Sequence, residues 1–277
     1  MPVEIAAVVL LAALLHAAWN AMVGAGEDRA LDTVLVATGG SLVAAAMLPF
    51  LPLPARASWP YALASVAIHT AYFTALVGAY KAGAFSPAYT LMRGTAPALT
   101  ALGGWVAGER LGGSQWLGVL LVSGGVAVMG TLGRRAAASR RATAWALSNA
   151  VVIAAYTLVD GRGVRLSGHA PSYTLWVFFL DVLPLLAWTL ATRGREAARY
   201  AARRWRRGLA GGALMVSAYA LVLWSMTRAP VAAVAALRET SVVFAALIGA
   251  RLLKEPFGAA RIAAAAVVAA GAALLEL

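Results

Sequence analysis

Nearly all of this 277-residue chain falls into apolar runs about 20 residues long, broken by short clusters of glycine, proline and charge. A run of that length crosses the roughly 30 Å hydrocarbon core of a bilayer as an α-helix. No water is available there to satisfy backbone N–H and C=O groups, so a chain of such runs folds as a bundle of helices. The spacing predicts ten spans, over 4–23, 32–52, 59–80, 86–106, 113–132, 142–160, 173–192, 207–227, 231–250 and 258–275. The loops left between them are too short to form a separate soluble domain. Charged residues make up 12% of the chain, about half the ~25% of soluble domains. There is no cysteine, which excludes disulfides, thiolate metal sites and cysteine nucleophiles. The first run has no basic leader and carries Glu4, His16 and Asn20, so it reads as a first membrane helix and not as a cleaved signal.

The formal charge of +12 is concentrated in two places. Arg134, Arg135, Arg140 and Arg141 share one loop, and Arg193, Arg195, Arg199, Arg203, Arg204, Arg206 and Arg207 crowd another. Both clusters flank apolar spans and have little aromatic interleaving. They are expected to lie against anionic lipid headgroups, and nucleic acid is rejected as a partner. Gly104, Gly108 and Gly112 follow a G-x-x-x-G rhythm, a spacing that lets helices approach closely in lipid.

The chain also repeats itself. "SPAYTLMRGTAPALTALGGWVAGERLG" (86–112) aligns with "VAAVAALRETSVVFAALIGARLLKEPFG" (231–258), so that Arg93 meets Arg238 and Thr95 meets Thr240 at an offset of 145. One inserted residue later, Glu109 meets Glu255 and Gly112 meets Gly258. The segments 19–24 and 156–161 match more loosely at an offset of 137. The expected organisation is two five-helix halves, 1–135 and 136–277, within one membrane domain. An odd number of helices per half turns the second half upside down relative to the first, a recurrent transporter architecture.

Ten spans as five plus five, the "HAAWNA" end of the first run, and the "GER" and "KEP" closures of the fourth and ninth resemble the drug/metabolite transporter superfamily, and within it the EamA type. The resemblance covers essentially the whole chain. It implies a helical bundle with a central polar cavity that moves small metabolites, often outward, and relatives that commonly keep both termini in the cytoplasm.

Seven ionisable residues fall inside the spans: His16, His69, Arg93, Asp160, Asp181, Arg238 and Glu239. Each costs about 2.5–3.5 kcal/mol on insertion scales, so each is expected to face a partner or a wet cavity. Arg93 and Arg238 lie about 10 Å into their helices at ~1.5 Å per residue. Two readings of them stand: recognition of a substrate carboxylate or phosphate, or a structural ion pair with Asp160, Asp181 or Glu239. Glu239 is about 100° around the helix from Arg238, so the two are expected to address different neighbours. It reads as a proton-coupling carboxylate or as a partner of Arg93 or Arg162, and Asp160 is a second proton-coupling candidate. His16, Trp19 and Asn20 share one stripe, and Asn149, Tyr156 and Asp160 share a comparable one. These stripes are read as cavity walls, extended by His69, Tyr72 and Tyr80 on the third span and by Tyr173 and Trp176 on the seventh. Interhelical hydrogen bonding is the competing role. Glu109 and Glu255 are read as loop-packing residues beside Arg110 and Lys254.

No Walker-type loop, H-E-x-x-H or G-x-S-x-G occurs, so neither ATP hydrolysis nor a hydrolase site is expected in this chain. The sequence predicts a multi-pass secondary transporter of the cytoplasmic membrane, a monomer or weak homodimer, with no cofactor, no metal and no catalytic residue. The expected substrate is a small amino-acid-like zwitterion or anion, and export is the expected direction. A lipid-linked sugar flippase of the same fold is the alternative; an intramembrane enzyme is a remoter one.

Charge counts and family resemblance disagree about orientation. With the N-terminus in the cytoplasm, inner loops would hold 5 Lys and Arg residues and outer loops 16, an inversion of the positive-inside rule. Both termini are therefore expected outside. A C-terminal reporter active in only one compartment should signal from the outer face.

Overall fold

The computed structural model describes residues 1–82, 85–131, 140–252 and 258–276, and all the regular structure in them is helical. Arg134, Arg135, Lys254 and Glu255 lie outside those residues. The helices are α1 (Val3–Gly24), α2 (Arg29–Met47), α3 (Trp59–Ala82), α4 (Phe85–Val106), α5 (Gly113–Thr131), α6 (Arg140–Leu166), α7 (Ala170–Met226), α8 (Val231–Arg238), α9 (Ser241–Leu252) and α10 (Ala259–Leu274). Among the described residues, five segments are long and apolar enough to cross a membrane: α1, Arg29–Phe50, α6, α7 and Val231–Ala250. Large apolar side chains such as Trp105, Leu147 and Trp188 are exposed on the outside, as lipid-facing residues would be.

Local chemistry explains several boundaries. The second helix starts earlier than predicted because Asp28 caps it, accepting from the backbone N–H of Ala30 and Leu31. It also ends earlier, since Pro49, Pro52 and Pro54 cannot donate to a continuing helix.

The predicted seventh and eighth spans join in the 57-residue α7, whose backbone leaves helical geometry at Gly194 (φ 23°) and Arg204. The chain reverses between them. The rings of Phe178 and Tyr219 lie 5.8 Å apart, whereas 41 residues of straight helix would separate them by roughly 60 Å. The predicted ninth span is divided into α8 and α9 at Glu239 and Thr240.

Loops gather at two ends of the bundle. At one, Arg193 pairs with Asp28 at 2.7 Å, Arg204 pairs with Glu27 at 2.5 Å, and Arg207 donates to the carbonyl of Met22. Partial burial works against the charge on Asp28, but the Leu31 N–H and the Arg193 guanidinium hold its carboxyl below its ordinary range. A depressed carboxyl stabilises the fold above its unfolded pKa and loses that contribution as pH falls through the folded value. At the other end, the Met1 ammonium donates to the carbonyls of Leu275 and Glu276. There Arg165 donates to the carbonyls of Met226 and Ala229, at 2.8 and 2.9 Å, and to Glu109 at 2.9 Å. Glu109 also accepts the N–H of Val231, placing its charge at the positive end of α8. Glu109 thus packs a loop as expected, through Arg165.

Close helix contacts do not use the predicted glycine triplet. Helix α4 stops at Val106, and Gly108 is a turn residue with φ +93° and open space around it. Gly112 likewise precedes α5. The close contact is instead between α2 and the second arm of α7, where a Cβ on Gly39 would strike the backbone of Gly208, and one on Gly212 the backbone of Gly39 and Gly40. Helices α5 and α10 meet likewise, with a Cβ on Gly118 falling 2.7 Å from the carbonyl oxygen of Gly271. Gly212→Leu should force α2 and α7 apart and lower the detergent-solubilised protein's stability by about 1–3 kcal/mol, while Gly124→Leu, where the space is open, should leave its thermal transition nearly unchanged.

Candidate functional site

The two repeated arginines converge on one carboxylate. Arg93 Nε lies 2.9 Å from Glu239 Oε2, and Arg238 Nη2 lies 3.5 Å from Glu239 Oε1. The three residues are buried, with 6%, 4% and 1% of their surface exposed, so solvent contributes little to balancing their charge. Two cations share one anion, which leaves one positive charge in excess.

Helix irregularities put them there. Pro97 lies inside α4 and has no N–H for the carbonyl one turn back, which is that of Arg93. After Arg238 the α-helical ladder gives way to i→i−3 bonds: Glu239 and Thr240 donate to Ala236 and Leu237, and Val242 and Val243 donate to Glu239 and Thr240. Glu239 there lies nearest Arg93 yet also comes within 3.5 Å of Arg238, correcting the expectation that these adjacent residues address entirely different neighbours. Gly94, the counterpart of Glu239 in the first half, sits against the α5 backbone: a Cβ there would lie 2.8 Å from Ser123 O and from Ala127 N. A glutamate would not fit at that position.

From α1, His16 Nε2 lies 3.5 Å from Arg93 Nη2, and the same nitrogen of Arg93 donates to Ser241 Oγ at 3.3 Å. Trp19 meets His16 edge to face at 5.1 Å. Asn20 turns back on its own helix, donating to the His16 carbonyl at 2.8 Å, so its predicted place in the wall reduces to holding α1. Ser241 was not anticipated; its position three residues past a buried arginine was the only available signal.

A second polar group lies around Asp160, which is fully buried. Tyr173 donates to its Oδ1 at 2.9 Å and Tyr219 to its Oδ2 at 2.6 Å. Gly163 makes room for the Tyr173 ring. His69 Nδ1 is 3.1 Å from Ser65 Oγ, and its ring stacks on Tyr156 at 4.3 Å. Tyr72 meets Tyr156 edge-on at 6.1 Å. His69, Tyr72, Tyr156 and Asp160 therefore come together as one wall. Asn149 packs beside it, donating to Met92 Sδ at 3.2 Å. Trp176 does not join the arginines: its ring contacts are Trp59 at 5.1 Å and Phe179 at 5.8 Å. Tyr173 was expected in the wall and meets Asp160 there, whereas Tyr219 and Ser65 were missed, because a tyrosine or serine in an apolar run does not announce which carboxylate it will meet.

Among the described residues no cluster of His, Asp and Glu is arranged to hold a metal ion. The arrangement can present fixed positive charge and hydrogen-bond donors to an anion and hold exchangeable protons on buried carboxylates.

Comparison with known proteins agrees with this architecture. Residues 140–277 match the EamA-like transporter family. A solved structure titled only "Crystal structure of protein" shares the fold with a TM-score of 0.75 at 21% identity, over 99% of this chain and 96% of that one. No curated protein matches the sequence.

If the Arg93–Glu239 pair holds α4 against the broken helix, Arg93→Gln alone should destabilise the fold by about 3–5 kcal/mol by leaving a buried carboxylate without its main counter-charge. Adding Glu239→Gln should restore part of that loss. Chemical unfolding in micelles across the double-mutant cycle measures the coupling, and additive losses would show that the pair has none.

Proposed function

Because the chain belongs to the EamA-like transporter family, we propose that it is a secondary transporter that binds a small anionic or zwitterionic metabolite at Arg93 and Arg238 and releases it on the other side of the cytoplasmic membrane. The observation that carries this reading is the excess positive charge of a buried cluster drawn from both repeated segments. A guanidinium deep in a membrane protein is costly, and a planar donor fork suits a carboxylate. His16, Trp19, Tyr72, Tyr156 and Ser241 complete the surroundings, with Asp160 and Glu239 as the groups that exchange protons.

Ten crossings in two inverted halves give this site its alternating access. Several features support that count. The termini lie side by side, as an even number of crossings requires. Helix α7 turns back on itself, and α8 with α9 forms one span broken at its centre, where unwound backbone and buried charge coincide. In related architectures such interrupted helices carry the binding site. The contacts between Asp28 and Arg193 at one end, and between Glu109 and Arg165 at the other, then close the two gates. The arginine-rich segment 193–207 faces the cytoplasm and the termini face out. Export down the substrate gradient fits the family resemblance.

Purified protein in liposomes, screened with labelled small carboxylates and amino acids, tests this reading. Arg238→Gln and Asp160→Asn should each cut transport by about tenfold or more with the fold retained by circular dichroism. Full transport by both variants would remove the site from the arginine cluster.

A further inference from the structure

Glu239 sits against the two guanidinium groups that a substrate carboxylate would need. Its Oε2 lies 2.9 Å from Arg93 Nε and its Oε1 3.5 Å from Arg238 Nη2, so the protein holds a carboxylate of its own where the proposed anion would sit. An incoming anion therefore meets one of two situations. It can crowd in beside an ionised Glu239, setting two carboxylates against each other on shared donors. Such pairs resolve by protonating one member. Or it can displace Glu239, whose ionised side chain would then be left in the interior without a counter-charge, a state that buried carboxylates avoid by neutralising. Both routes end with a proton on Glu239.

Resting on the reading of the arginines as the anion site, we infer that Glu239 is a displaceable internal counter-ion, and that each small monoanion bound at Arg93 and Arg238 brings about one proton with it. The proton comes from solution and forms an O–H bond on Glu239, and no bond in the anion breaks. Anion and proton then cross in the same direction, so the carrier is a symporter driven by their combined gradients. It runs outward when the anion is concentrated inside. An exchanger that moved protons against the substrate would need the opposite linkage, with anion binding expelling the proton.

The groups facing Glu239 limit which other residue could hold that proton. Arg93 from α4 and Arg238 beside it in the chain contact it directly; His16 from α1 touches Arg93, Tyr156 from α6 and Tyr219 from α7 lie near Arg238, and Asp160 from α6 follows behind Tyr219. Helix α5 contributes no titratable side chain. Arginines do not release protons in this range and tyrosines hold theirs. Asp160 has both oxygens engaged by tyrosine hydroxyls. His16, 3.5 Å from Arg93, is the real competitor, and the experiment has to separate it from Glu239.

Methanesulfonate is a suitable probe because it stays a monoanion from about pH 5 to about pH 8, the range in which the side chains would titrate. Its binding to the purified protein, followed by calorimetry in buffers of different ionisation heat, should tighten by up to about tenfold per pH unit of acidification, with uptake of about one proton. Glu239→Gln should bind as tightly at the alkaline end as the wild type does at the acid end, without proton uptake. His16→Gln should keep the wild-type pH dependence, and Arg238→Gln should lose binding. Wild-type binding that is independent of pH, a Glu239→Gln protein with unchanged proton uptake, or a His16→Gln protein that loses the pH dependence would each overturn the counter-ion while leaving the anion site in place. Binding that survives Arg238→Gln, or is absent from the wild type throughout the range, would overturn the anion site itself. If Glu239→Gln does not fold, the wild-type and His16→Gln titrations together decide the matter.

Discussion

One carboxylate between two guanidinium groups organises the interior of this protein. Glu239 is reached from α4 by Arg93 and along its own strand of backbone by Arg238. Neither contact would exist in a pair of ideal helices. Pro97 loosens α4 one turn beyond Arg93, and the tightened turn at Glu239 and Thr240 breaks the partner segment immediately after Arg238. A buried ion pair contributes little net stability, since desolvation offsets most of its Coulomb energy. Its value lies in specificity: the elements it joins have few other ways to satisfy those charges, so their register is set.

The rest of the bundle is held by contacts of two kinds. Around it, α2 and α7, and α5 and α10, meet through glycines whose missing side chains let backbones touch. Small residues of this kind supply van der Waals contact where lipid removes the hydrophobic drive between helices. At the two ends the cross-links are ionic and more exposed, with Asp28 and Glu27 held by Arg193 and Arg204 on one side and Glu109 held by Arg165 on the other. Exposed ion pairs are weak and exchange readily, unlike the close glycine contacts.

Two polar groups, not one, line the centre, and they differ in character. The arginine cluster sets two guanidinium groups against one carboxylate, with His16 and Ser241 beside Arg93. Asp160 is enclosed by Tyr173 and Tyr219 and neighboured by the stacked His69 and Tyr156. Tyrosine hydroxyls donate to the carboxylate without adding charge, so Asp160 has its own partners apart from the arginines.

Much of this was legible in the chain itself. Hydropathy over about 20 residues determined that the protein is a helical membrane protein, because the cost of an unsatisfied backbone in lipid leaves no other spanning form. The repeat determined that Arg93 and Arg238 belong together, and the rarity of charge in such segments singled out Asp160 and Glu239. What tertiary structure alone decided was pairing: that Glu239 faces Arg93, that Asp160 takes its donors from Tyr173 and Tyr219, that Trp176 turns to Trp59, and that Gly39 and Gly212 form a contact that Gly104 and Gly108 do not. The reason is physical. Hydropathy and repetition are local properties, readable one segment at a time. A partner is chosen by where two distant segments come to rest, and here that depends on breaks at Glu239 and Gly194 that no periodicity reports.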